Sequence, residues 1–444
     1  MGFENKIKNY KKEMKETLSK LVSFESVLDE TDGNYPFGKE IDNCLKETLD
    51  ICEEMGFETY YGDGHYGYAE IGSGDELIGI LGHLDVVPAG DIDNWNYSPF
   101  ELTEDGEKLY GRGSVDDKGP IVSSLFAVKA LMDSDIEFNK RIRFIFGVDE
   151  ENLWRSIDKY LENEEKPVMG FTPDSSFPMI HAEKGLLQFK LTNDSGSSIN
   201  LKGGNAFNAV PDKIIYESNK ADIIAKNLDK LNYEYKKDNN KITVFGQGAH
   251  ASKPYNGTNA ITRLVEALIK SNVENESLNF INDIVANDHH GENIFGDCSD
   301  EPSGKLTINL GKIDINNQNQ ELSFDIRIPV TKNKEDIIKE IEKKAANYNL
   351  KYEEYDYLDS LYVPKDHFLI KTLSKVYEKE TQLDSTPLTS GGATYARAIE
   401  NCVAFGPVFP DQEKVEHQAN EYIKTDSLVK CANIYAQAIY KLTR

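Results

Sequence analysis

The chain begins with helical spacing. Phe3, Ile7, Tyr10, Met14, Leu18 and Leu21 fall on one stripe, which predicts an amphipathic helix over residues 3–22. A second helix is predicted over 37–54, with Ile41, Cys44, Leu45, Leu49 and Cys52 inward and Gly56 as its stop. The texture then changes to short apolar runs, each leading into polar residues. Residues 77–81 lead into His83, residues 142–146 into Asp149-Glu150-Glu151, and residues 168–171 into Asp174. A helix over 118–132, carrying Ile121, Val122, Leu125, Phe126 and Val128, stands between them. Continuous apolar runs alternating with helices predict buried parallel strands of an α/β sheet. After Lys184 the runs 186–191, 241–245, 306–310 and 322–328 alternate like half-buried strands, with helices near 259–270 and 334–346. That pattern is α+β with antiparallel strands. The α/β texture returns after Pro364, with a helix over 368–378, a strand over 403–405 and a last helix over 427–442. The expected organisation is therefore a domain in two parts, 1–185 and 364–444, interrupted by an inserted domain over 186–363.

Charge narrows the function. Lys and Arg number 50 against 76 Asp and Glu, a formal net charge of −26. A nucleic-acid binder needs a basic face, and no basic block occurs. An acidic surface also disfavours anionic membranes. Mean hydropathy is −0.54, and no apolar run approaches the ~18 residues of a membrane-spanning helix. Residues 1–21 lack the continuous apolar core of a secretory leader. The five cysteines are far apart and form no CxxC pair, which predicts reduced thiols. The expectation is a cytoplasmic globular protein.

The candidate chemistry lies after the predicted strands. His83, Asp85, Glu150, Glu151 and Asp174 all follow strand ends, which share one edge of an open parallel sheet, where ligands bind. Carboxylates about 4 Å apart repel by roughly 4 kcal/mol at an effective dielectric of 20. A cluster of them calls for one or two divalent ions, and His with carboxylates and no thiolate suits Zn²⁺, with Mn²⁺ and Co²⁺ as alternatives. Asp85, two residues beyond His83, is placed to orient its ring. The loop Gly111-Arg112-Gly113-Ser114-Val115-Asp116-Asp117 matches no phosphate-binding pattern, and its aspartates would repel phosphate. It fits a metal-binding Asp116 on a tight turn, with Asp117 as a helix N-cap. Glu150 and Glu151 can divide ligation and proton transfer, or form a solvated turn. His250, among small residues, and His417 are each open to a surface reading as well. His289-His290 lacks nearby acids at ligand spacing and reads as a surface loop.

Together these residues resemble the metallopeptidases of the aminoacylase/carboxypeptidase clan, most closely the PepV-like dipeptidases. The resemblance rests on Gly82-His83-Leu84-Asp85-Val86-Val87-Pro88, the 111–120 loop, Asp149-Glu150-Glu151, Thr172-Pro173-Asp174, Gly248-Ala249-His250-Ala251-Ser252 and Glu416-His417. Ala206-Phe207-Asn208-Ala209-Val210-Pro211-Asp212, Asp325-Ile326-Arg327-Ile328-Pro329-Val330 and Gly391-Gly392-Ala393-Thr394 extend it in order along nearly the whole chain. Asn152-Leu153 and Ala393 depart from the pattern without touching a ligand. The resemblance implies a zinc-peptidase-like α/β catalytic domain with a mixed, largely parallel sheet, plus an inserted α+β lid. It implies two divalent ions bridged by Asp116, with His83 and Glu151 completing one site and Asp174 and His417 the other. It further implies a cis peptide between Asp116 and Asp117, Glu150 as general base, and Asp85 orienting His83. His250, with Asn208, would stabilise an oxyanion. Arg327 and the loop of Gly391, Gly392 and Thr394 would bind the substrate's carboxylate.

The activity implied is hydrolysis of dipeptides and other short peptides within a single chain, a monomer with no nucleic-acid or membrane partner. An N-acyl-amino-acid deacylase or carboxypeptidase of the same clan is the alternative, and a non-catalytic binding relative a further one.

Overall fold

The computed structural model describes residues 3–31 and 33–444. Met1, Gly2 and Asp32 lie outside the described residues, and the first two begin the stretch read for a leader. The chain divides into two compact units. One comprises the chain up to His181, Tyr362–Leu388 and Ala393–Arg444; the other comprises Ala182–Leu361 and Thr389–Gly392. The changeovers thus fall at 181/182 and 361/362 rather than at 185/186 and 363/364. The short segment 389–392, expected in the interrupted domain, belongs to the inserted unit.

The first unit carries most of a nine-stranded sheet, whose strands at 180–183, 361–362 and 388–390 run across the changeovers. The sheet's strands are β1 (Glu58–Gly62), β2 (Tyr66–Ile71), β3 (Leu77–His83), β4 (Arg141–Gly147), β5 (Met169–Thr172), β6 (Ile180–Glu183), β7 (Leu361–Tyr362), β8 (Leu388–Ser390) and β9 (Cys402–Ala404). The spatial order is β1-β2-β4-β3-β5-β9-β6-β7, with β8 paired to β6. β4, β3, β5 and β9 run parallel, and β1 and β2 close one side as an antiparallel hairpin. β3 is buried at every position, as a strand covered on both faces must be, so its sequence reads as an unbroken apolar run. The helix Lys118–Met132 is buried nearly all round and packs on Thr425–Leu442.

Three local features differ from the expectation. The first helix is two, Phe3–Asn9 and Lys11–Val22. The chain steps out of helix at Tyr10, whose ring packs on Phe126 and whose hydroxyl donates to Asp133. The second helix begins at Lys39, after Gly38 with φ of 116°, so Phe37 lies outside it. The hairpin β1–β2 was not foreseen. Asp63 and Gly64 both take positive φ there, the turn geometry that matches the right-handed twist of paired strands.

The second unit is antiparallel throughout its main sheet. Leu201–Gly203, Thr307–Ile315, Gln320–Ile328, Gly185–Asn193 and Lys351–Leu358 lie in that order. Lys213–Glu217, Lys241–Phe245 and Tyr235–Asp238 form a smaller sheet. Gly185–Asn193 alternates strictly between buried and half-buried. Its inward residues Leu187, Phe189 and Leu191 share a core with Ile261, Leu264, Phe324 and Ile341.

One contact in the first sheet constrains the site's scaffold. Gly170 of β5 faces Gly79 of β3, and a Cβ at Gly170 would sit against the Gly79 carbonyl oxygen, far inside van der Waals distance. Gly170→Ala is expected to destabilise the protein by about 1–3 kcal/mol, the usual cost of overpacking. Gly33→Ala, with nothing within 4 Å of the added Cβ, serves as control. Urea denaturation followed by tryptophan fluorescence checks both, and equal midpoints would contradict the close approach of β3 and β5.

Candidate active site

Parallel pairing of β3 with β4 and β5 brings three strand ends to one edge of the sheet. His83 ends β3, Glu150 and Glu151 follow β4, and Asp174 follows β5. Two loops complete the cluster, one carrying Asp116 and one carrying His417. Asp116 presents one oxygen to each histidine. Its Oδ1 lies 3.0 Å from His83 Nε2 and its Oδ2 lies 3.1 Å from His417 Nε2. Behind them, Asp174 Oδ2 is 3.8 Å from His83 Nε2, and Glu151 Oε1 is 3.0 Å from His417 Nε2.

These contacts differ from the expected pairing. His83 shares its side of Asp116 with Asp174, and His417 shares the other side with Glu151. Ligand atoms of His83, Asp116 and Glu151 do lie within 4.8 Å of one another, as do those of His83, Glu150 and Asp174. That spread is wide enough to span both sides of Asp116, whereas the ion-pair contacts, 3.0 Å for His417 with Glu151 and 3.8 Å for His83 with Asp174, distinguish them. The donor set, imidazole and carboxylate without thiolate, fits divalent Zn²⁺, Mn²⁺ or Co²⁺.

Asp85 organises two parts of the cluster. His83 Nδ1 is 2.9 Å from the Asp85 carbonyl oxygen and 3.6 Å from its Oδ1. The Asp85 carboxylate mainly accepts the backbone N–H groups of Glu150 at 3.1 Å and Glu151 at 3.0 Å. It therefore holds the acidic turn, while its main chain holds the ring. The turn is closed from the other side by buried Asp149, which accepts from Arg155 N, Nε and Nη2. Asp117 stands at the head of the helix Lys118–Met132 but makes no capping bond. Its Oδ2 accepts instead from the His83 backbone N–H at 3.3 Å. The Asp116–Asp117 peptide is cis.

Glu421, to which the sequence assigned no role, is completely buried beneath the Asp116 loop. It accepts from Arg112 Nη1 at 2.7 Å and from the backbone N–H groups of Gly113, Val115 and Asp116. Its neighbours Gln418, Asn420 and Tyr422 are polar, so nothing local marks it as buried. Its partners lie some three hundred positions away, where spacing carries no information.

Electrostatics follow from burying this cluster. Burial opposes ionisation of Asp116, but hydrogen bonds from His417 and His83 overcome it and hold the carboxyl below its ordinary range. Burial raises Asp174 and Glu150 well above theirs, reinforced by Asp116 for Asp174 and by Glu151 and Asp85 for Glu150. Burial also raises Glu151. Hydrogen bonds to Asp116 and Glu151 pull His417 up to about 10. For His83, burial works downward, yet Asp116 and Asp85 raise it well above the usual value. Burial, with the Asp116 charge, pushes Glu421 up to about 7 against the pull of Arg112 and Val115 N–H.

The other expected site residues lie in the second unit, except Thr394. His250 is exposed, with Nδ1 2.8 Å from Ser252 Oγ. Ser252 N–H also donates to Nδ1 at 3.2 Å, so Nδ1 is an acceptor and the neutral ring carries its proton on Nε2. Partial desolvation of the ring and the Arg327 charge lower its pKa, favouring that neutral form. Asn208 is tied to the same segment, its carbonyl accepting from Ala251 N–H. Arg327 is buried, with Nε and Nη2 on Asp325 and Nη1 on the Gly391 carbonyl. Those bonds leave one N–H on each Nη for another acceptor. Gly391 packs against Ser252, where a Cβ would meet the Ser252 Cβ at 2.8 Å. Gly392 N–H donates to Ser390 Oγ. Thr394 stands apart: it belongs to the first unit, is buried, and its Oγ1 caps the turn Tyr395–Ala398. His289 and His290 are half-buried, with His290 Nδ1 on the Leu306 carbonyl, and join neither ligand group.

Residues 79–441 match the family described as Peptidase family M20/M25/M40. A Bacillus subtilis (strain 168) protein named "Putative dipeptidase YtjP" is 34% identical over 470 residues, covering 100% of each chain. Among solved structures, human carnosine dipeptidase 1 aligns with a TM-score of 0.59 at 16% identity, over 99% of this chain and 98% of that one. An M20 family metallo-carboxypeptidase from Sulfolobus solfataricus aligns with a TM-score of 0.61 at 18% identity, over 96% and 98%. The chain belongs to the M20/M25/M40 peptidase family and has its fold. No helix among the described residues is long and apolar enough to cross a membrane.

The raised groups have one sign in the metal-free protein. Glu150, Glu151 and Asp174 have folded pKa values above their unfolded values of about 4, so the stability they contribute is lost as pH rises past that point. His83 and His417 contribute stability below about 6.5, lost as pH rises, for His417 towards about 10. Asp116 acts oppositely, but its window lies below both. The melting temperature of the chelator-treated protein is therefore expected to fall between pH 5 and pH 9. Asp174→Asn should flatten the slope, separating the cluster from general charge repulsion. Parallel profiles for the two proteins would contradict this electrostatic account.

Proposed function

We propose that this chain is a dinuclear-metal dipeptidase. The observation that carries the reading is Asp116, whose two oxygens each face one histidine, with Asp174 and Glu151 flanking. His83, Asp116 and Asp174 would hold one ion, and Asp116, Glu151 and His417 the other, Zn²⁺ first among the ions that this donor set suits. Such ions supply Lewis acidity and lower the pKa of bound water. Glu150 lies beside the cluster with a raised pKa, which suits it to accept a proton during attack and return it to the leaving amine. His250, protonated on Nε2, is a donor suited to the oxyanion of a tetrahedral intermediate, and Asn208 shares its segment. Arg327 retains N–H groups for a substrate carboxylate, with Gly391 and Gly392 beside it. Thr394 is proposed only to shape the turn before Tyr395. The inserted unit, expected over 186–363, is proposed to act as the lid, so that one chain carries all the machinery as a monomer. Cys44, Cys52, Cys298 and Cys431 are free thiols, which supports a cytoplasmic setting. The dipeptide preference draws on the naming of the Bacillus subtilis relative, and the carboxypeptidase among the structural relatives makes longer peptides the competing substrates.

An assay of Ala-Ala, Ala-Ala-Ala and N-acetyl-alanine across Zn²⁺, Mn²⁺ and Co²⁺ tests the reading. The dipeptide is expected to be hydrolysed in preference to both. Glu150→Gln should lower kcat by about 10²–10⁴, the usual contribution of a general base, while retaining two ions by elemental analysis. His250→Ala should lower it by about 10²–10³. Preference for N-acetyl-alanine or the tripeptide would replace dipeptidase with the corresponding rival, and loss of both ions in Glu150→Gln would remove Glu150 from the role of base.

A further inference from the structure

The ligands differ in how they are held. His83 ends β3, and Asp174 follows β5 directly, so the sheet sets their positions. His417 has no such support. It lies in the loop between Pro407–Val408 and Tyr422–Lys424, with φ of 61° and a side chain 55% exposed. Its distance from Asp116 must be set by whatever ties its loop to the loop of Asp116.

Tyr422–Lys424 pairs with Lys108–Tyr110 ahead of the Asp116 loop, and one side chain ties the two loops themselves. Glu421, four positions beyond His417, spans the Asp116 loop with both ends of its polar structure. Oε2 accepts from Arg112 Nη1 at 2.7 Å and Gly113 N–H at 3.1 Å. Oε1 accepts from Val115 N–H at 3.0 Å and Asp116 N–H at 3.3 Å. Its own carbonyl accepts from Gly111 N–H at 3.0 Å. Arg112 is itself held over the Trp95 ring, its Cζ 5.2 Å from the centroid. Next to it, Asn420, with φ of 63°, accepts from Asn96 N–H at 2.6 Å and donates to the Asn94 carbonyl at 2.9 Å. A segment with two residues of positive φ, His417 and Asn420, is thus pinned at its end by side chains and one main-chain bond, and a backbone so held is over-determined by its surroundings.

We propose that Glu421 is a positioning residue that sets the separation of His417 from Asp116 and so governs affinity for the ion on the His417 side. Its carboxylate is engaged by Arg112 and by the backbone N–H groups of Gly113, Val115 and Asp116. The proposal rests on the dinuclear reading above. Loss of the partners that orient ligands typically weakens metal binding by 10–100-fold. Both ions share Asp116, whose loop Glu421 grips, but the sheet holds His83 and Asp174 without Glu421, so the loss should fall mainly on the ion of the His417 side.

Stepwise Co²⁺ titration of the metal-free protein, followed by visible absorption, tests this together with thermal melting. Wild type is expected to bind two ions, and His417→Ala to lose one of them. Glu421→Gln, which keeps the volume but removes the charge and one acceptor, should weaken that same ion by about 10–100-fold and the other, which shares only Asp116 with it, severalfold less. Should Glu421→Gln fail to fold, Asn420→Gly decides. It keeps the positive φ, removes only the side-chain pins, and should weaken the same ion. Unchanged binding of both ions in the folded variant, or equal weakening of both with a lowered melting temperature, would overturn the proposal and leave Glu421 a general structural acid. Wild type binding a single ion, or His417→Ala keeping two, would instead overturn the dinuclear reading, whatever Glu421 does.

Discussion

Asp116 is a buried carboxylate shared between two imidazoles, and much of the first unit is arranged to make that possible. Asp174, Glu150 and Glu151 crowd the same edge of the sheet. Such proximity costs several kcal/mol per pair unless positive charge intervenes, a large share of the about 5–15 kcal/mol by which a typical domain is stable. Protons serve in the metal-free protein, which is why both histidines are raised and why Glu150, Glu151 and Asp174 resist ionisation. Divalent ions compete with those protons for the same atoms, so metal binding, protonation and stability are one linked equilibrium.

Backbone amides hold several of the acids that surround the ligand cluster. Asp85 takes the N–H groups of Glu150 and Glu151, Asp117 takes that of His83, and Glu421 takes those of Gly113, Val115 and Asp116. Each such bond fixes the main chain from which a ligand or base projects. The same economy appears at His250, where Ser252 N–H and Oγ fix the tautomer by engaging Nδ1. Preorganisation of this kind places charges and donors before a substrate arrives, which is where much catalytic stabilisation originates.

The elements were legible wherever one local rule decided them. The helices Lys118–Met132 and Lys334–Ala346 and the strand Lys241–Phe245 fall on the residues that their periodicity predicts. The strand ends carrying His83, Glu150 and Asp174 were legible because buried parallel strands read as unbroken apolar runs. The hairpin β1–β2 was not, since β1 is an exposed edge of Glu and Tyr with no apolar run, although Asp63-Gly64 carried its turn signal. The pairing of ligands across Asp116 could not be read either. It depends on which oxygen of one carboxylate faces which ring, a fact of rotamer and loop path. Glu421 escaped for the same reason. Its meaning lies in five donors of a distant loop, and spacing along a chain reports only on near neighbours.

The account stands on Asp116 serving both ions at once. Elemental analysis of wild type and Asp116→Ala after equilibration with Zn²⁺ and removal of free metal tests this most directly. Two ions per chain in the wild type and none retained in the variant is the predicted result. One ion retained by Asp116→Ala with wild-type affinity would show that Asp116 is not shared, and the arrangement around it would need another explanation.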